Sequence, residues 1–240
     1  MCACGSHPAA ENTEPALPVA TIDEANGATI SGKVLFTGDK PSMPVIDMSA
    51  NPMCERQHST PQHAETVVIN PNGTIRYAFV WIKDGLPKAR WTPPQTSMTS
   101  VVLDQNGCVY RPHALALMVG QQLEIDNSDP VNHNVHAEAQ VNVAWNESQP
   151  PQADKKFKTF PREEIWFPVT CSVHPWMRAF LSVVSHPFFA VTGEDGAFTL
   201  KGVPPGSYTL EVIQEKFGRK TAQVAVAADE SKTIDFTYTQ

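Results

Sequence analysis

Hydrophobic and polar positions along this chain alternate with a period of two, over short stretches bounded by turn residues. Leu115, Leu117 and Val119 alternate with Ala116 and Met118, and Leu123 and Ile125 resume the rhythm after Gly120. Ile165, Phe167 and Val169 alternate again. Successive side chains of an extended strand point to opposite faces, so this rhythm predicts strands with one face buried. Residues 29–36, 66–69 and 76–83 read the same way, the last two separated by the breaker Pro71-Asn72-Gly73. Towards the C-terminus, Glu194-Asp195-Gly196 precedes Phe198 and Leu200, and Pro204-Pro205-Gly206 precedes Tyr208, Leu210 and Val212. Both read as hairpin turns. Residues 146–158, polar and rich in Pro and Gln, read as a surface loop. No stretch carries a convincing period of 3.6 and no repeat has a fixed spacing. Many short, turn-bounded strands predict an all-β chain built as sandwiches or barrels.

Composition sharpens this. Proline is 21 of 240 residues and charged residues are 18%, against a usual charged share of about 25%. That argues against helical bundles and coiled coils. The 41% hydrophobic share supports a real core and excludes global disorder. A net charge of −7 argues against nucleic acid as a partner, because neutralising phosphates needs clustered Lys and Arg. The longest apolar runs fall far short of the roughly 20 residues that span a bilayer. Cysteines number five, so at least one sulfur does something other than pair within the chain.

Two segments carry the candidate chemistry. One is Asn132-His133-Asn134-Val135-His136, the other Cys171-Ser172-Val173-His174-Pro175-Trp176-Met177. A thiolate, two imidazoles and a thioether are the ligand set of a type 1 copper site, with Met as the weak axial ligand. Strand parity tests their convergence. Val135, Ala137 and Ala139 share a face with His133, whereas His136 and Glu138 point the other way. Ile165, Phe167, Val169 and Cys171 share one face, and Trp166 and Thr170 the other. Both ligands therefore end an apolar, core-facing row. A rival zinc or iron trio of His133, His136 and Glu138 is split across two faces. Binuclear copper of the oxidase type would need a second cysteine near Cys171, and there is none; neither His58 and His63 nor His113 and His186 form the further cluster that multicopper oxidase or nitrite reductase chemistry requires.

On these residues residues 115–184 resemble the cupredoxins, most closely the amicyanin-like members with a short Cys-x2-His-x2-Met loop and Pro after His. The resemblance implies a Greek-key β-sandwich holding one copper ion on His133, Cys171, His174 and Met177. It also implies that Asn134 hydrogen-bonds across to the cysteine loop and holds the two ligand segments in register. His174 would be the exposed edge of the site, forming an electron port and docking patch with Pro175 and Trp176.

The segment from Val191 to Val212, with Gly193-Glu194-Asp195-Gly196 and Pro204-Pro205-Gly206 before its apolar rows, resembles the carboxypeptidase regulatory-like (transthyretin-like) β-sandwich. That family opens with a strand like Ile30-Ser31-Gly32-Lys33-Val34. The expected plan is therefore a tether over 1–26, an N-terminal strand within 27–45, a copper domain over 64–186 and the regulatory-like sandwich over 187–240. The N-terminal strand either completes that smaller sandwich or adds to the copper domain's sheet. The family implies no peptidase activity.

Of the other cysteines, Cys54 and Cys108 either form a disulfide closing a loop of about fifty residues, with stabilisation of about 3–4 kcal/mol, or remain two buried thiols. A bridge implies an oxidising compartment. The start, Met1-Cys2-Ala3-Cys4-Gly5-Ser6, resembles the join of a bacterial lipoprotein signal to its lipidated cysteine. That implies lipidation at Cys4, the alternative being a frayed tail with two spare thiols. The combined expectation is a periplasmic or extracytoplasmic copper protein, not an enzyme, that is not membrane-spanning but carries a lipid anchor. It would pass single electrons between protein redox partners. The alternative is a copper carrier or assembly module that delivers metal.

Overall fold

The computed structural model describes residues 17–92 and 99–240. Cys4 and most of the 1–26 tether lie outside the described residues. The described chain is all-β, with one helical turn, Pro52–Glu55, capped by the Asn51 side chain. Among the described residues no helix is long and apolar enough to cross a membrane.

Two sandwiches share the strands. In the first, one sheet runs in the order Lys156–Thr159, Gln122–Asn127, Val101–Gln105, Tyr110–Arg111. The facing sheet runs Trp145–Gln149, His133–Ala137, Glu164–Thr170, Arg178–Val184, Ala114–Met118. Leu103, Leu117, Leu123, Ile125, Val135, Phe167, Val169 and Leu181 fill the space between them. In the second, Phe189–Val191, Phe79–Asp84, Gly206–Gln214 and Gly218–Val226 form one sheet. Ala197–Val203, Ala28–Thr37 and Ser231–Thr233 form the other, and Phe236–Thr239 also pairs with Ala28–Thr37. The N-terminal strand therefore lies between C-terminal strands, with Ile30 paired to Leu200 and to Lys232. Strands near both ends of the described chain belong to the second sandwich, and the first is inserted between.

Several expectations are corrected by this pairing. The segment 64–186 is not one unit, because Phe79–Asp84 pairs with Gly206–Gln214 and Phe189–Val191 and so belongs to the second sandwich. The stretch 76–83 is broken at Tyr77, which has φ of 64° and whose N–H donates to Thr192. The two C-terminal turns are corners, not hairpins. Ala197–Val203 pairs with Ala28–Thr37, whereas Gly206–Gln214 pairs with Phe79–Asp84 and Gly218–Val226, so each turn carries the chain between sheets. The true hairpin joins Gly206–Gln214 to Gly218–Val226. Residues 146–158 hold most of one strand and part of another. Trp145–Gln149 pairs with His133–Ala137, and Gln149 is buried, its Nε2 donating to the Ile125 carbonyl. A buried glutamine satisfied by backbone leaves no apolar signal to read.

A bulge joins the two halves. The register of Glu164–Thr170 shifts between Glu164 and Phe167, and Trp166 sits there at φ of 62°. The bulge turns Ile165 off the face of Phe167, where simple alternation puts it. Ile165 and Trp166 instead pack on Phe79, Trp81, Val184 and Ile213 of the boundary between the sandwiches. The Trp166 ring stacks on Phe180 at 4.8 Å.

Two outcomes test this architecture. A Cβ at Gly32 would lie 1.7 Å from the Ile234 carbonyl oxygen, whereas one at Gly193 meets nothing. Gly32→Ala should therefore cost about 3 kcal/mol or more in urea unfolding, the scale of a severe overpacking change, while Gly193→Ala stays near wild type. His186 is buried at the same boundary, stacked on Trp81, with Nε2 donating to the Ile82 carbonyl and Nδ1 accepting from Phe188 N–H. Burial pushes its pKa down to about 4. The unfolded chain then takes the proton first, so His186 costs nothing above an unfolded value of about 6.5 and destabilises increasingly as pH falls towards 4. His186→Gln should flatten this part of the urea-midpoint profile between pH 7 and pH 4.5.

Candidate metal centre

The site forms where two strands are locked side by side. Thr170 pairs with His136 on one side and Arg178 on the other. The first pairing sets Cys171 beside Asn134 and His133. The second closes residues 171–177 into a loop between paired strand ends. Inside the loop Met177 N–H donates to the His174 carbonyl at 2.9 Å, and Cys171 N–H to the Met177 carbonyl at 3.3 Å. His133, Cys171 and His174 are brought together, each buried, with one donor atom apiece within 4.8 Å of the others. Met177 is buried in the same core.

Asn134 welds the segments. Its Oδ1 accepts Ser172 N–H at 2.6 Å and lies 3.3 Å from both Val173 N–H and Cys171 Sγ. Its backbone carbonyl accepts the Tyr110 hydroxyl at 2.6 Å, and that hydroxyl also reaches the Thr170 carbonyl. His136 and Glu138 are not part of the group. Glu138 accepts a hydrogen bond from the Thr170 hydroxyl on the other face.

A polar row runs through the site. His133 Nε2 donates to Asp129 Oδ2 at 2.8 Å, and Asp129 is pinned by the N–H groups of Gly107 and Cys108 at 2.6 and 2.7 Å. The Nδ1 atoms of His133 and His174 are 2.9 Å apart. His174 Nε2 lies 2.7 Å from Asn51 Nδ2 and 3.6 Å from Cys54 Sγ. Cys54 and Cys108 form a disulfide, Cα to Cα 5.6 Å.

These surroundings bias the protons. Burial and the charge of a protonated His133 push His174 down to about 4. Burial opposes ionisation of Asp129, yet the hydrogen bonds from His133, Cys108 and Gly107 outweigh it and hold that carboxyl below its usual range. Burial likewise opposes the Cys171 thiolate, but His133 and the peptide N–H groups of the loop lower its pKa. A softened thiol, two imidazoles, of which His174 is kept from an extra proton, and a thioether fit copper in donor type.

The expected electron port is corrected. His174 is only 1% exposed, because the segment carrying Asn51 and Cys54 folds over its outer edge and is tied there by the disulfide. Pro175 is exposed and Trp176 half-buried, its ring 5.1 Å from that of His174 and its Nε1 donating to the Cys108 carbonyl. The sequence reading missed the partners of the two imidazoles. Asp129 stands four residues before His133 and was legible as a neighbour only. Asn51 is 123 residues from His174 and left no local signal.

Residues 178–239 match the carboxypeptidase regulatory-like domain model. No curated protein matches the chain. Among solved structures, a copper-containing nitrite reductase from Thermus scotoductus SA-01 is similar, with 20% identity and TM-score 0.33, over 35% of this chain and 22% of that one. The chain thus spans under a quarter of that reductase. A reduced mutant of amicyanin is similar, with 25% identity and TM-score 0.32, over 35% of this chain and 81% of that one. A purple cupredoxin from Nitrosopumilus maritimus is similar, with 21% identity and TM-score 0.30, over 35% of this chain and 99% of that one. The chain thus holds two β-sandwiches, and residues 178–239 are similar to the carboxypeptidase regulatory-like domain.

The Asn134 weld has a measurable weight. Asn134→Ala removes the acceptor of at least one buried peptide N–H and should cost about 2–3 kcal/mol in urea unfolding of the metal-free protein. The far-ultraviolet spectrum should remain that of the wild type.

Proposed function

We propose that this chain is a mononuclear type 1 copper protein that carries single electrons outside the cytoplasm, with His133, Cys171, His174 and Met177 as ligands. The observation that carries the reading is the buried convergence of one thiol and two imidazole nitrogens within 4.8 Å, beside a buried thioether, at the end of an apolar core. When bound, copper supplies a one-electron couple between Cu(I) and Cu(II). The protein's own contribution is to hold the donors. Asn134 fixes the cysteine loop, Asp129 aims His133 by accepting the hydrogen bond from its Nε2–H, and burial keeps water out. A rigid, dry donor set favours electron carriage over ready release of metal.

With His174 covered, exchange with a redox protein partner runs through the neighbouring surface. Trp176, in ring contact with His174 and lining a surface cavity with Pro175 and Arg178, supports that route. The disulfide suits an oxidising, extracytoplasmic compartment. Lipidation at Cys4 would anchor the chain there. This reading assigns the chain no reaction of its own on a substrate.

Loading the purified full chain with one equivalent of Cu(II) should give an intense visible thiolate-to-copper band that disappears in Cys171→Ser. A colourless or weakly coloured wild-type complex would overturn the type 1 assignment. If the band forms, reversible cycling with slow copper loss marks a carrier of electrons, and rapid loss on reduction marks delivery of metal.

A further inference from the structure

One imidazole presents its two nitrogens to two different sulfur centres. His174 Nδ1 lies 3.9 Å from Cys171 Sγ, and Nε2 lies 3.6 Å from Cys54 Sγ. Cys54, Cys108 and His174 are all buried, and each offers a donor atom within 4.8 Å of the others. This second group overlaps the first only at His174.

The hydrogen bonds around His174 select one tautomer. Asn51 Oδ1 accepts the Met53 N–H at 3.2 Å, so the amide's NH2 end faces His174 and donates to Nε2 at 2.7 Å. Nε2 then carries the lone pair, and the ring proton sits on Nδ1, which donates to His133 Nδ1 at 2.9 Å. His133 in turn donates from Nε2 to Asp129. The row is self-consistent. It sets His174 to bind a cation on the disulfide side, whereas the inner donor set needs the opposite tautomer, with Nδ1 free. A neutral His174 can serve one side or the other.

We propose that Cys54, Cys108 and His174 Nε2 form a second, outer site for Cu(I) once the disulfide is reduced, filled before the inner site takes its ion. The choice of copper rests on the function proposed above; two thiolates and an imidazole are a donor set that suits the soft monovalent ion. The chemistry balances with an external dithiol as reductant. Its two thiols give two electrons and two protons to the Cys54–Cys108 bond and leave as a disulfide. Cu(I) then displaces the two thiol protons to solvent and forms two Cu–S bonds and one Cu–N bond, with no change in its own oxidation state. Gln57 Nε2, 3.6 Å from Cys108 Sγ, is placed to donate to the new thiolate. The segment around Pro52–Glu55 is thereby an entry point for the metal as well as a cap.

The experiment uses the full chain with Cys171→Ser, which removes the inner thiolate. The protein is reduced with dithiothreitol, desalted without oxygen, assayed for free thiols and titrated with Cu(I) against bicinchoninate. The reduced form should show two more thiols than the oxidised form and bind one Cu(I) at least about 100-fold more tightly, as soft thiolate donors become available. Adding Cys54→Ser should remove that gain. Equal affinity in the reduced and oxidised forms would overturn the proposal, as would a thiol count that fails to rise while circular dichroism shows the fold intact. Should the double variant not fold, the comparison of reduced with oxidised Cys171→Ser decides alone. The visible band of the wild type reports on the inner site independently. Its failure would sink the type 1 reading and leave the stoichiometry of the outer site to be read on its own.

Discussion

A row of four polar side chains holds the site together: Asp129, His133, His174 and Asn51, each within hydrogen-bonding distance of the next. Two imidazoles buried in an apolar sandwich must have their outer nitrogens satisfied, because an unpaired polar group there costs about 1–3 kcal/mol. The row meets the same covalent bridge at two points. Asp129 is held by the N–H groups of Gly107 and Cys108, and His174 lies against Cys54. The disulfide therefore does more than shorten the unfolded chain. It ties the cap to the loop that orients the first imidazole.

The same constraint shapes the route to the site. Covering the His174 edge satisfies its nitrogen, keeps water away and removes the exposed imidazole as a contact. The flank then offers the nearest surface, where Trp176 links the His174 ring to the Cys108 carbonyl. Rigid enclosure suits a centre that keeps its metal.

The second sandwich acts as a frame. Its sheets include a strand from near the start of the described chain and strands from its end, and Phe79–Asp84 reaches into it from the middle. Phe79 and Trp81 then pack against Trp166 and Val184 of the first sandwich. The strand Glu164–Thr170 thus carries both the bulge that docks the two halves and the pairing that presents Cys171. Stability of the frame and geometry of the donors are linked through one strand.

Much of this was legible locally. Alternation along 115–125 and 133–139 is a period-two signal read from neighbouring residues, and the spacing of Cys171, His174 and Met177 belongs to a single loop. Those features follow from the chain itself because strand parity and loop length act over a few residues. The sheet partners of Ala28–Thr37, the split of residues 64–186 between two sandwiches and the bulge at Trp166 depend on contacts far apart in sequence. So do the corners at Gly196 and Gly206, since a turn does not reveal which sheet receives the next strand. The sequence by itself determined the class of fold and the short loop that sets His174 beside Cys171. Only tertiary structure decided that Asn51 and the Cys54–Cys108 bridge close over His174, because burial is set by what folds on top of a residue, not by its neighbours in the chain.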